Sequence, residues 1–198
     1  MRLAPGAWRL AALPLVAAVP VALVSPLLGV ASVVVGCAVL AFFRDPERTP
    51  PETGILAPAD GRVSVLRVED DRVRVGVFMN VWNVHVARAP ATGTVRTVAH
   101  RPGAHRPAFS KDSDRNERVR VELERSAGHP IEVTLIAGAF ARRIHPYPSV
   151  GEELERGERL GHIAFGSRVD VLLPPGVGLE DIAIDRRQRV RAGETVLV

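Results

Sequence analysis

Between Leu10 and Phe43 the sequence carries no charged residue; Arg2 and Arg9 precede the run and Arg44 closes it. A membrane-spanning helix needs roughly 20 apolar residues, so the run is ample for one crossing and short for two. Pro14, Pro20, Pro26 and Gly29 interrupt it. A proline inside a helix removes a backbone donor and kinks the axis, so one straight helix is not expected. Two arrangements fit: a hairpin turning near Ser25-Pro26, or one span over residues 21–43 with a kinked lead-in. Arginines at both ends favour the hairpin, with both ends cytoplasmic. A signal peptide has an apolar core of only roughly 7–15 residues. Val34-Val35-Gly36-Cys37 looks like a lipobox, but the apolar run continues past the cysteine to Phe43. Residues 1–43 therefore read as a membrane-anchoring helical segment, placing the protein at the cytoplasmic face of the cell membrane.

Residues 44–198 form the second domain, opened by the charged, proline-rich stretch FFRDPERTPP, which cannot stay helical. Strand patterns dominate after it. Arg62–Val68, Arg72–Phe78 and Arg118–Leu123 alternate apolar and polar residues, as half-buried strands do. Residues 131–136, 163–165 and 169–173 are more apolar and predict buried strands. Turn signals separate them, among them Ala59-Asp60-Gly61, Glu69-Asp70-Asp71 and Ala91-Thr92-Gly93. No run after residue 50 has a helical period. Residues 151–161 and 190–198 echo each other, each with a glycine-bearing charged turn before a short apolar strand. The fold expected is mainly β, with barrel-sandwich-like elements behind the helical anchor.

Composition narrows the chemistry. One cysteine, Cys37, excludes a disulfide framework and any cysteine-based zinc cluster. The six histidines show no ligand spacing, so no metal is expected. Lys111 is the only lysine among 26 basic residues, and the sequence pI is 10.4. Arginine forks suit phosphate, but one tyrosine and two tryptophans supply no stacking platform, and no nucleic acid partner is expected.

Several places could carry chemistry, each with an ordinary alternative. Asp60, in Ala57-Pro-Ala-Asp-Gly61, is by default a turn aspartate. His85, in Asn80-Val-Trp-Asn-Val-His85, is by default a satisfied core histidine. KDSDRNER before a strand is a solvated loop or a binding loop, and Arg142-Arg143 a surface basic patch or an anion site. Gly166-Ser167-Arg168 is an ordinary turn in a buried strand pair.

Taken in order, FFRDPERTPP, APADGRV, NVWNVHVARAPATG, KDSDRNER, GAFARRI and GEELERGERLGHIAFGSRVDVLLP resemble the phosphatidylserine decarboxylase family, in its short archaeal-type form. The resemblance implies a proenzyme that cuts itself between Gly166 and Ser167. The Ser167 hydroxyl attacks the Gly166 carbonyl, turning the amide into an ester, and β-elimination releases the Gly166 carboxylate. The residue left at 167 loses ammonia on hydrolysis and becomes a pyruvoyl group. The products are a β chain, 1–166, and an α chain, 167–198, which stay together as a heterodimer; any higher oligomer is left open. The resemblance also implies that His85, with Asp60, activates the serine. The longer bacterial enzymes carry a second histidine where this chain has Arg88.

Decarboxylating an α-amino acid needs an electron sink. The implied pyruvoyl carbonyl supplies one through a Schiff base with the serine amine of phosphatidylserine in the membrane, giving phosphatidylethanolamine. Pyridoxal phosphate would need a lysine anchor, and the lone Lys111 lies in a charged loop, so no pyridoxal phosphate is expected. Arg142, Arg143 and Arg168 are candidates for the lipid phosphate. Archaetidylserine presents the same headgroup and is the alternative substrate. A membrane-anchored barrel-sandwich carrier or adaptor is the non-catalytic alternative, although a carrier too needs a lysine at a hairpin tip.

Overall fold

The computed structural model describes residues 2–104, 106, 115–126, 128–139, 143–164 and 167–198. The chain divides into two compact units, Met1–Glu47 and Arg48–Val198.

In the first unit, β1 (Arg2–Leu3) leads into α1 (Ala7–Val24), and α2 (Pro26–Phe42) runs back to β2 (Arg44–Asp45). Of the two arrangements left open by the sequence, this is the hairpin. Ser25 breaks the helices with an extended backbone (φ −151°), and Pro26 starts α2, where its missing N–H costs nothing. The helices pack antiparallel. Ser32 Oγ donates to the Pro14 carbonyl at 2.7 Å, and a side chain at Gly36 would strike Leu15. Leu13, Val16, Val19, Leu23 and Leu27 point outward and are exposed. A helix pair that is apolar on its outer surface is built for lipid rather than water. Among the described residues, α1 is the one helix long and apolar enough to cross a membrane. The ends close where β1 and β2 pair, Arg2 opposite Asp45.

The second unit is antiparallel β. Its strands are β3 (Gly61–Glu69), β4 (Arg72–Met79), β5 (Val86–Arg88), β6 (Gly93–Arg101), β7 (Arg118–Glu124), β8 (Ile131–Ile136), β9 (Ile144–Pro146), β10 (Glu153–Leu154), β11 (Arg159–Ile163), β12 (Ser167–Leu172) and β13 (Arg189–Val190). Eight form one sheet in the order β10-β6-β7-β8-β12-β4-β3-β13, curled as half a barrel, and β5-β11-β9 form a second sheet. Bulges at Val63/Val65 and Val95/Thr97 sharpen the curl. Side chains from both sheets share one core, including Val75, Val121, Leu135, Val169, Leu160 and Ile163. The β3–β4 turn is Asp70-Asp71 with φ of 48° and 62°, the geometry a tight two-residue hairpin requires.

The alternating patterns at 62–68, 72–78 and 118–123 predict β3, β4 and β7 closely. β6 has no such signature, because most of its side chains are exposed and its start coincides with a turn signal. The apolar runs near 163–165 and 169–173 correspond to β11, which ends at Ile163, and β12, which begins at Ser167 itself. The echo between 151–161 and 190–198 has a physical meaning. Gly157 and Gly193 donate to Ala89 O and Ala57 O in equivalent ways, and their turns touch, leaving about a methyl's width between them.

Candidate active site

β12 is the innermost element of the large sheet, hydrogen-bonded to β8 on one edge and β4 on the other. A strand covered on both edges and both faces must be apolar or internally paired, and β12 shows both solutions. Val169 and Val171 have no exposed surface. Arg168 and Asp170, two residues apart and so on the same face, form a forked ion pair with Nε–Oδ1 2.7 Å and Nη2–Oδ2 3.0 Å. Arg74 adds a third contact to Asp170 at 3.3 Å and turns its other nitrogens to Glu69. Asp170 faces Gly76 across the ladder, and a Cβ there would come within 2.7 Å of Asp170 Oδ1. The missing side chain at Gly76 makes room for the ion pair.

Ser167 begins this strand, opposite Met79. It is fully buried, and its Oγ has no hydrogen-bond partner among the described residues. Leaving a buried hydroxyl unsatisfied costs about 1–3 kcal/mol, which a purely structural serine would not sustain. Gly166 lies outside the described residues, as do Arg142 and Lys111.

The link between the two sheets runs from β11, which ends at Ile163, to β12, which begins at Ser167. At its near end, the Ile163 N–H donates to the His85 carbonyl at 3.2 Å, so the backbone of His85 is fixed beside the end of β11. At its far end Ser167 pairs with Met79, which opens the turn leading to His85. That turn is tightly bonded: Asn83 Oδ1 accepts from Asn80 N–H at 2.8 Å, and Asn80 Oδ1 from Val81 N–H at 2.6 Å. His85 is 1% exposed, and its Nδ1 lies 2.9 Å from the Asn83 carbonyl. A carbonyl only accepts, so Nδ1 carries a proton and donates to it.

Asp60 takes different partners from those its expected role requires. Its oxygens accept from Arg48 Nη2 at 3.0 and 2.9 Å, and Oδ1 also accepts the Ala192 N–H at 2.8 Å. Arg48 additionally reaches Glu194 at 3.4 Å. The Asp60 turn depends on Gly61, whose φ of 158° and close approach to the Phe78 carbonyl exclude a side chain. Arg48 was not singled out in the sequence, and only its place beside prolines in the boundary stretch marked it. Arg88 is buried and donates to the Gly157 carbonyl at 2.9 Å, a bond that ties β5 to the echoing turn. Arg143 is exposed, whereas Arg168 is 5% exposed with its fork on Asp170.

A second histidine pair also escaped the sequence. His162 stacks on His145 across the β11–β9 ladder, with ring centroids 4.6 Å apart, and its Nδ1 is hydrogen-bonded to the Tyr147 hydroxyl at 2.9 Å. Burial, and then the nearby His145, hold His162 down at about 4. It is neutral near pH 7.

A buried serine whose hydroxyl has no hydrogen-bond partner among the described residues heads a central strand. His85 follows the turn that leaves β4, the strand with which β12 pairs. Both lie in a β unit that follows an apolar helical hairpin. The phosphatidylserine decarboxylase family model matches residues 36–198. The chain is 55% identical, over 98% of its length and 96% of the relative's, to a protein of Halobacterium salinarum named "Putative archaetidylserine decarboxylase proenzyme". It is 54% identical to the phosphatidylserine decarboxylase proenzyme of Thermobifida fusca, over 79% of this chain and 70% of that one. The corresponding enzyme of Streptomyces griseus is 50% identical over 79% and 71%. The chain belongs to the phosphatidylserine decarboxylase family of carboxy-lyases.

Proposed function

We propose that this protein decarboxylates the serine headgroup of a membrane phospholipid, after cutting itself between Gly166 and Ser167 and turning Ser167 into a pyruvoyl group. The observation that carries the reading is the buried Ser167 hydroxyl, which has no hydrogen-bond partner among the described residues. In the uncut chain it is held ready for a reaction rather than for packing. His85 Nε2 takes the hydroxyl proton as Oγ attacks the preceding carbonyl. The Asn83 carbonyl, by holding Nδ1–H, keeps the imidazole in that tautomer, as the orienting group of a catalytic triad does. Asp60 is the third member of the proposed site. In the uncut chain Arg48 holds its carboxylate, so an exchange of that partner accompanies any direct help it gives His85.

When formed, the pyruvoyl carbonyl supplies the electron sink that loss of CO2 demands. The chain's own residues then hold the lipid and move protons. His85 returns a proton to the substrate Cα, in surroundings too dry for bulk water to compete. The lipid phosphate falls to arginine. Arg143, exposed, is available for it, Arg142 is its neighbour in sequence, and Arg168 would first have to leave Asp170. The cut products, β chain 1–166 and α chain 167–198, stay together because the smaller one contributes β12, β13 and the buried Leu197, whose N–H donates to Ile55 O at 2.7 Å.

The substrate lies in the membrane, and the hairpin anchors the enzyme there, with Arg2, Arg9 and Arg44 placing its ends on the cytoplasmic side. Phosphatidylserine is the substrate proposed. Archaetidylserine is the second reading, favoured by the near full-length similarity to the Halobacterium salinarum protein. Mass measurement of purified protein tests the maturation. Wild type should give two chains, the smaller starting with a blocked carbonyl that reacts with hydroxylamine, and Ser167→Ala one chain of 198 residues. A wild-type chain that stays whole yet releases CO2 from phosphatidylserine refutes the mechanism. Turnover of the two lipids side by side separates the substrates.

A further inference from the structure

The turn that orients His85 also carries the most conspicuous exposed aromatic of the β unit. Trp82 is 82% exposed and Val81 46%, and the Asn80 and Asn83 bonds hold them out on a stiff support. Beside them opens a cleft of about 570 Å³, lined by Trp82, Asn80 and Asn83 and by Arg62, Arg189 and Arg191. Arg62 and Arg189 are cross-strand partners on β3 and β13, and β13 is the sheet's edge. Arg62 spends one N–H on the Arg187 carbonyl at 3.1 Å, and a guanidinium has five. Among the described lining residues Asp60 is the acidic one, and Glu194 is a neighbouring carboxylate. Arg48 bonds to both, and Glu194 lies 3.7 Å from Arg191. The cleft is therefore positive beside an exposed tryptophan and valine.

We propose that this face is a second membrane contact, separate from the helical hairpin. Trp82 and Val81 enter the headgroup layer of an anionic phospholipid surface, and Arg62, Arg189 and Arg191 pair with its phosphates. Tryptophan settles at membrane interfaces, where its ring is half apolar and its N–H stays wet. Arginine forks match phosphate oxygens, and each basic residue near an anionic surface strengthens binding roughly five-fold. Neutral lipid would satisfy the tryptophan but leave the arginines without partners, so the charge selects an anionic surface. Docking there seats the turn whose Asn83 carbonyl holds His85 Nδ1, and brings the proposed base to the depth where headgroups lie.

The test reads insertion and not CO2 release, so it stands apart from the proposed reaction. Trp8→Phe leaves Trp82 as the only tryptophan of the full chain. That protein is reconstituted into vesicles of phosphatidylcholine alone or mixed with phosphatidylglycerol, which has no serine to decarboxylate, each with brominated acyl chains as quencher. Most Trp82 emission should be lost in the phosphatidylglycerol vesicles and return as salt is raised. Arg62→Gln, Arg189→Gln and Arg191→Gln should each cut the ratio of quenched to unquenched emission roughly five-fold. The salt titration needs no arginine variant and so survives any that misfolds. Unquenched emission with phosphatidylglycerol overturns the proposal, as does equal, salt-independent quenching in pure phosphatidylcholine. Soluble glycerol phosphate should leave the emission unchanged; if it reproduces the effect, the cleft is a free-phosphate site and the proposal fails.

Discussion

The two sheets of the β unit handle buried polarity in opposite ways. In the eight-stranded sheet, the charges beside Ser167 are neutralised within the protein: Arg168 forks onto Asp170, Arg74 joins them, and Gly76 gives up its side chain to make space. In and beside the three-stranded sheet lie two buried imidazoles, His85 before β5 and His162 on β11, and the buried Arg88 of β5 donates to the Gly157 carbonyl. One sheet pairs buried Arg168 and Asp170 with each other, whereas beside the other His85 bonds to the Asn83 carbonyl and His162 to the Tyr147 hydroxyl. The bond proposed to be cut precedes Ser167, the first residue of β12, while the end of β11 at Ile163 is bonded to the His85 carbonyl. A nucleophile needs a fixed position and a base needs an available lone pair, and one uniform environment would not supply both.

That contrast can be broken from either side. The largest effect is expected at His85. His85→Ala should slow self-cleavage by about 10²–10⁴, followed by the appearance of the smaller chain on a gel. Cleavage at the wild-type rate would remove the histidine from the reaction. On the rigid side, Asp170→Asn leaves Arg168 and Arg74 buried without their shared carboxylate and should cost about 3–5 kcal/mol. In a chain of this size that is roughly a 10 °C fall in thermal midpoint. Gly76→Ala should cost less, about 1–3 kcal/mol, because the new methyl pushes on Asp170 and Val65. An unchanged midpoint for either variant would mean that the ion pair does not lock β12.

The smallest effect belongs to His162. Its folded pKa of about 4 lies below the ordinary 6.5. Between those values the unfolded chain binds a proton that the folded one refuses, so the stability is fully present above the ordinary value and is lost as pH falls through the window. His162→Phe should flatten the fall in thermal midpoint between neutral pH and about pH 4. An unaltered acid slope would show that the stacked pair titrates without penalty.

Much of this was legible in the chain, for identifiable reasons. The Leu10–Phe43 run marked the apolar helices, and Ser25-Pro26 offered the break that the structure uses. Alternation marked β3, β4 and β7 because each has one wet face. β6 lacked that signal because much of it is exposed on both faces, and β5 and β9 were too short to show any period. Ser167 and His85 stood out through ordered motifs, with nothing in local composition to mark them. Arg48, by contrast, was invisible as a partner of Asp60, since a pair of charges twelve residues apart across prolines has no periodicity.

By itself, the sequence determined an apolar helical segment and a β domain, and its motifs singled out Ser167, His85 and Asp60. Those follow from hydrophobicity, alternation and residue chemistry, which are properties of short stretches. Only the tertiary structure decided how the polar groups pair. Arg168 turned to Asp170, Asp60 to Arg48, and His85 to the Asn83 carbonyl, while Ser167 Oγ was buried with no hydrogen-bond partner among the described residues. Hydrogen bonds reach only about 3 Å, so partner choice depends on which strands the fold sets side by side, and no local pattern records that.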